Sequence, residues 1–248
     1  MPKRTVRPGR LLVGTSGFAY KQWIGSFYPE GTKQSALLAA YASLLPSVEI
    51  NYTFQRLPSA KAIDGWLAQT PEDFVFALKA NRRITHFQRL VNVDEALQAF
   101  LGSCSGLEAR LGPILFQCPP NLSYRPEVLD GFLESLLRVT PAGQRYALEM
   151  RHPTWATQEV YEKLRSAGVA WVAADTDESD AEFFQTNDRF AYIRLRKTEY
   201  SAVAIEAWAR QIRSAVVAGT DVAVYCKHEE TPKGAQMAVR LRELVETM

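Results

Sequence analysis

At 248 residues, 47% hydrophobic and 23% charged, the chain is long enough to bury a substantial core and has the apolar material to fill it. A formal net charge of +2 excludes the strongly basic balance of a dedicated nucleic-acid binder, so an anion site has to be local. The three cysteines, Cys104, Cys118 and Cys226, are widely spaced and form no CxxC pair, so neither a disulfide framework nor a structural zinc site is suggested and reduced cytosolic thiols are expected.

Residues 1–10, MPKRTVRPGR, read as a basic N-terminal tail. The LLVGTSG that follows is too short for the apolar stretch of a signal peptide or for a bilayer span, so a cytoplasmic protein without membrane contact is expected. From there short apolar runs recur, each followed by a polar turn and usually by a helical pattern, which signals βαβ units. Strands are predicted at 11–14, 48–50, 74–78, 114–116, 146–148, 170–173, 191–195 and 222–225. A helix is predicted over 93–111, where Leu97, Phe100, Leu101, Cys104 and Leu107 share a face and Gly112-Pro113 stops the pattern. Another is predicted over 125–139, with Pro126 near its first turn and Val128, Leu129, Phe132, Leu133, Leu136 and Leu137 on its apolar side. Gly168 and Gly219 stand where C-cap glycines belong. The segment 175–188, DTDESDAEFFQTND, lacks a helical period. The expected fold is therefore α/β, a single (β/α)8 TIM-type barrel with an irregular sixth crossover. No composition shift or linker divides residues 11–248, which read as one domain.

Side chains alternate along a strand, so parity selects the polar residues that point away from the helices. Val48 and Ile50 oppose Glu49 and Asn51, Phe76 and Leu78 oppose Lys79, Phe116 opposes Gln117, and Leu148 opposes Glu149 and Arg151. The same rule groups Asp175 with Trp171 and Ala173, and Arg194 and Arg196 with Tyr192. Barrel active sites occupy the C-terminal rim, where these residues would converge. A purely structural layer of buried ion pairs is the competing reading. The loop TSGFAYKQWIGSFYPEG adds Phe18, Tyr20, Trp23, Phe27 and Tyr28, which read either as an aromatic wall suited to a planar or sugar-like ligand or as a loop that folds its rings onto the barrel top. In KHEETPKGAQMA, Lys227 precedes a predicted helix start at Thr231-Pro232-Lys233-Gly234, a place where barrels bind phosphate.

His86, His152 and His228 follow strands three, five and eight, too few ligands for a His-rich metal centre; no organic cofactor signature is present, and a metal-free site is expected. A glycosidase built on Glu49 and Glu149 ranks low, because Gln117 and Arg194 stand where such barrels carry their acids after strands four and seven. Lys79, beside Arg82 and Arg83, reads more readily as an anion-binding lysine than as a Schiff-base amine.

The runs GTSGFAYKQWIGSFYP, VEINYTFQRLPS, FALKANRRITH, ILFQCPPNL, LEMRHPTW and AYIRLR resemble the YecE-like family, a domain of unknown function numbered seventy-two, from about Leu11 to the last helix. The resemblance implies a TIM-type barrel and, because the family has no established activity, a site rather than a reaction. Matching positions are Gly14, Ser16, Trp23, Tyr28, Pro29, Glu49, Asn51, Phe54, Lys79, His86, Gln117, Glu149, Arg151, His152, Trp155, Asp175 and Arg194. Two departures change the charge of the rim: Arg194-Leu195-Arg196-Lys197 replaces a pattern like RLHG, and Lys227-His228-Glu229-Glu230 replaces an Asn-Asn-Asp run.

The functional expectation is a barrel that binds a small anion, phosphate- or carboxylate-bearing, with possible acid–base chemistry. Glu49 or Glu149 would carry the proton, while Lys79, Arg151 and Arg194 hold negative charge. Ser16, Tyr20, Trp23, Asn51, His86, Gln117, His152, Trp155, Asp175, Arg196, Lys227 and Lys233 complete the expected ligand site. The alternatives are a nucleic-acid-binding or endonuclease-like barrel and a non-catalytic regulatory module. Salt titration separates the former, since binding through many phosphates weakens steeply with salt.

Overall fold

A computed structural model describes residues 7–139, 141, 143–181, 189–227 and 230–248. In chain order its elements are β1 (Leu11–Thr15), α1 (Leu37–Ala42), β2 (Ser47–Ile50), α2 (Tyr52–Gln55), α3 (Ala60–Leu67), β3 (Val75–Lys79), α4 (Asp94–Cys104) and β4 (Leu111–Gln117). They continue with α5 (Pro126–Val139), β5 (Tyr146–Glu149), α6 (Gln158–Ser166), β6 (Ala170–Asp175), β7 (Phe190–Leu195), α7 (Ala202–Val217), β8 (Asp221–Cys226) and α8 (Lys233–Thr247). Each predicted strand is present; the largest difference is β4, which starts at Leu111. The strands form one parallel sheet in the order β1-β8-β7-β6-β5-β4-β3-β2 with helices between them, the α/β fold of (β/α)8 TIM type. The chain groups into two compact units, Met1–Val48 with Ala173–Met248, and Glu49–Val172, each described by itself.

In the unit Glu49–Val172, β3, β4 and β5 pair in parallel, with Lys79 opposite Leu115 and Gln117 opposite Glu149. Trp66 of α3 stacks on Phe76 at 5.7 Å between ring centroids, and Phe132 of α5 meets Phe116 edge-on at 5.1 Å. These contacts place Phe76 and Phe116 under the helices and leave Lys79 and Gln117 on the opposite face, as strand alternation requires. At β6 the inward assignment of Trp171 does not hold. Trp171, opposite Leu148 in the register, packs edge-on against Tyr161 of α6 at 5.1 Å, so it belongs to the helix side and not with inward-facing residues. The helix expected over 93–111 also breaks: α4 ends at Cys104 and a 3-10 turn, Ser105–Arg110, follows, in which Glu108 takes a φ of 48°. Trp155 is fully buried, its indole N–H donating to the Leu122 carbonyl at 2.7 Å.

In the other unit, β8 lies between β1 and β7, with Tyr225 opposite both Gly14 and Arg194. The buried Tyr41 hydroxyl accepts from the Thr15 N–H at 2.8 Å and donates to the Ser47 carbonyl at 3.0 Å, which ties the end of β1 to the start of β2. Helix α8 buries Ala235, Ala238, Leu241 and Val245, and α7 buries Trp208, Ala209 and Ile212. Gly219 caps α7 and Gly168 caps α6, at φ values of 96° and 69° that only glycine adopts without cost. Of the predicted tail, Gly9 N–H donates to the Val216 carbonyl at 2.8 Å, and residues 1–6 lie outside the described residues. Between β6 and β7 the chain turns at Thr176–Ser179; the second half of the crossover expected to be irregular, residues 182–188, lies outside the described residues. All three cysteines are buried. No helix among the described residues is long and apolar enough to cross a membrane.

Candidate functional site

At the ends of β3, β4 and β5 four predicted site residues form one row. Lys79 Nζ donates to Gln117 Oε1 at 2.6 Å, Gln117 Nε2 donates to Glu149 Oε1 at 2.8 Å, and Arg151 Nε donates to the same oxygen at 3.1 Å. Gln117 and Glu149 are 6% and 4% exposed, whereas the Arg151 side chain keeps 48% of its surface. The strand register sets this arrangement: Gln117 and Glu149 stand opposite each other, and Lys79, opposite Leu115, lies two residues behind Gln117 on the same face, from where its long side chain reaches the amide. A carboxylate between a guanidinium and an amide, with an ammonium one step beyond, is an arrangement of charge-assisted hydrogen bonds that holds both cations in place.

Around Lys79 the neighbouring segments close in. Its ammonium stands 4.2 Å from the centroid of the Phe54 ring, a cation–π contact. The Thr53 hydroxyl lies 2.7 Å from the Lys79 carbonyl oxygen and 3.0 Å from that of Ile50, pinning α2 to β3. After β3 the chain makes a π-helical turn, Arg83–Phe87, a rare form frequent at functional sites. That turn presents His86, whose ring meets Phe54 edge-on at 4.9 Å and whose Nδ1 is 2.9 Å from the Thr85 hydroxyl. Burial first, then the charges of Lys79, Arg151 and Arg89, hold the His86 pKa below its ordinary value. The next residues are strained: Arg89, Leu90 and Asn92 have φ values of 50°, 69° and 52°, at a cost of about 1 kcal/mol or more each. Strain of this kind collects at ligand sites. The π turn and the strained run are invisible to hydrophobic periodicity.

In the other unit, Arg196 Nη1 donates to the buried Ser16 hydroxyl at 2.8 Å, and Tyr20 lies close enough to Arg196 to feel its charge, although burial wins and raises the Tyr20 pKa. Lys197 pairs with the buried Asp175 at 3.3 Å and with Asp180. Lys233 pairs with Glu199 at 2.7 Å, and Lys227 Nζ is 3.5 Å from the Thr198 hydroxyl.

The remaining predicted residues take other places. Glu49 at the end of β2 and Arg194 at the end of β7 are buried, at 0% and 2% exposure, and Asn51 is half-buried at the start of α2. Trp23 was expected in a ligand wall but is fully buried, packed by Tyr20, Phe27 and Tyr28 at 4.9, 5.6 and 5.8 Å; it is the core of its own loop. Trp155 is likewise core, and His152 accepts from the Thr154 N–H at 3.3 Å to cap a 3-10 turn. An aromatic side chain that folds inward beneath its own loop has the same sequence pattern as one that lines a pocket. His228 and Glu229 lie outside the described residues. Among the described residues no three His, Cys, Asp or Glu side chains are grouped so as to hold a metal ion.

Comparison with known proteins points the same way as the fold. A family model described as "Protein of unknown function DUF72" matches residues 12–248. The UPF0759 protein YunF of Bacillus subtilis is 29% identical over 178 residues, 68% of this chain and 61% of that protein. The UPF0759 protein YecE of Escherichia coli K12 is 32% identical over 133 residues, 53% of this chain and 47% of that protein. The matches thus span about half to three fifths of these curated relatives. A crystal structure of a DUF72 family protein from Thermotoga maritima superposes with a TM-score of 0.82 at 27% identity, covering 96% of this chain and 99% of that one. One from Enterococcus faecalis, at 18% identity, gives 0.78 over 96% of each chain, a likeness of fold.

Proposed function

This chain belongs to the DUF72 family, whose description assigns no reaction, and from its own residues we propose that the ends of β3, β4 and β5 bind a small phosphate- or carboxylate-bearing anion and serve proton transfer to it. The observation that carries this reading is the gathering of Lys79 and Arg151 on the Gln117–Glu149 row, near enough to His86 that, after burial, their charges and that of Arg89 help hold its pKa below the ordinary value. A place where positive charge disfavours a proton is a place where it favours an anion. Lys79 and Arg151 would meet the negative charge, with Glu149 and Gln117 fixing their positions. Glu149 spends one oxygen on Gln117 and Arg151, so the proton carrier assigned here is His86, which is neutral near neutral pH and able to accept a proton.

The test follows the His86 ring resonance by NMR as pH is varied, with and without phosphate, sulfate and simple carboxylates. Binding should raise the His86 pKa toward its ordinary value, because the anion offsets the neighbouring cations, and Lys79→Met should abolish the response. If no anion moves the His86 titration of the wild-type protein, the reading fails.

A further inference from the structure

A separate cavity of about 460 Å³ opens in the unit that contains β7 and β8. Glu199 and Tyr200 of the loop after β7 line one side, Lys233, Met237 and Arg240 of the first two turns of α8 line the other, and Lys227 closes it at the end of β8. We infer that this cavity is a second anion site, which takes the phosphate group of a small, partly apolar molecule. It shares no residue with the row at β3–β5, so either reading can fail without the other.

Charge is the first argument. Among the described lining residues, the side chains of Lys227, Lys233 and Arg240 stand with one carboxylate, that of Glu199. Lys197 also lines the cavity, but Asp175 and Asp180 already hold its ammonium, and Asp177, anchored by Thr198, feels the charge of Lys227. The Lys233–Glu199 pair is no obstacle: its side chains are 65% and 73% exposed, and such a pair in water exchanges partners at little cost. The Arg240–Glu243 pair, at 3.5 Å between two half-exposed side chains, is equally labile.

The backbone is the second argument. A Cβ on Gly234 would sit 1.9 Å from the Lys227 carbonyl oxygen, so the first turn of α8 can press against the end of β8 only with glycine there. Pro232, in the capping position, has no side chain that could accept from the first N–H groups of this 15-residue helix. The wall of the cavity thus combines side-chain cations with the positive end of a helix, and Ile205 and Met237 offer apolar surface to the rest of a ligand. A volume of about 460 Å³ falls within the range of small-molecule sites.

The protein carries four methionines, of which Met237 lines this cavity and Met150 stands between Glu149 and Arg151. Protein labelled with carbon-13 at the methionine methyl groups therefore reports both places in one spectrum, with Met237→Leu and Met150→Leu to assign the two signals. The probes are inorganic phosphate, glycerol 3-phosphate and glycerol, titrated at constant ionic strength against chloride. The expected result is a saturable shift of the Met237 methyl with inorganic phosphate, tighter with glycerol 3-phosphate and absent with glycerol, and weaker by about tenfold in Lys233→Met and in Arg240→Met. A Met237 signal that ignores phosphate, that moves equally with chloride, or that responds unchanged in both variants overturns the inference. A shift at Met150 alone also overturns it while leaving the β3–β5 reading intact.

Discussion

The ends of β3–β5 and the rim after β7 and β8 carry similar residue types in opposite physical states. In the first, Gln117 and Glu149 are almost wholly withdrawn from water and come from strands, and each hydrogen-bonds the next. In the second, Lys233 and Glu199 come from a helix turn and a loop and keep most of their surface. A buried charge is costly unless its partners are in place, so folding itself has to position the β3–β5 row, whereas solvated charges impose no such demand and can be rearranged by a ligand. The contrast separates a preorganised arrangement of charges from an adaptable one.

The largest expected effect comes from removing the carboxylate at the centre of the row. Glu149→Leu leaves the buried Gln117 amide and the Arg151 Nε without their acceptor, at a cost of about 2 kcal/mol in urea denaturation. A variant as stable as the wild type would mean that the row is as loosely held as the β7–β8 rim. A smaller effect is expected from acid. Because the folded-state pKa of His86 lies below its unfolded value, the unfolded chain takes up a proton first as pH falls. The His86 contribution is complete above the unfolded pKa of about 6.5 and is lost as pH drops from there through the folded value. His86→Gln should flatten that limb of the stability–pH curve; identical curves for variant and wild type would remove the cationic environment from the comparison. The smallest effect belongs to Lys233→Met, which breaks only an exposed pair, and its melting temperature should match the wild type. A clear drop there would show that the second region is as tightly built as the first.

Much of this was legible in the residues themselves. Strands such as β5 and β8 are short apolar runs between turn residues, and alternation along β3, β4 and β5 puts Lys79, Gln117 and Glu149 among the residues turned away from the helices, where they meet. The inward assignment went astray at Trp171, because parity says which residues share a face but not which face is inward, and the large indole, opposite Leu148, finds its partner in Tyr161 of α6. Periodicity ran the helix over 93–111 through Gly106 and Glu108, where the chain leaves helical geometry although Leu107 is still buried. Trp23 and Trp155 carried the composition of a binding wall, and only packing distinguishes that from a core. The π turn that presents His86 has no signature in a pattern of apolar residues, since it arises from one extra residue in a turn, closed by the Gln88 N–H on the Arg83 carbonyl at 2.8 Å.

The closed positions of the cysteines have a practical consequence. Cys104, Cys118 and Cys226 are each at most 1% exposed, and burial raises the pKa of all three thiols, that of Cys104 to about 11 and that of Cys226 to about 12. Reactivity toward maleimides and iodoacetamides needs an accessible thiolate, and the native chain offers none. A single cysteine placed on the surface, beside either proposed anion site, therefore becomes a unique handle for a fluorophore or spin label while the natural thiols stay in place.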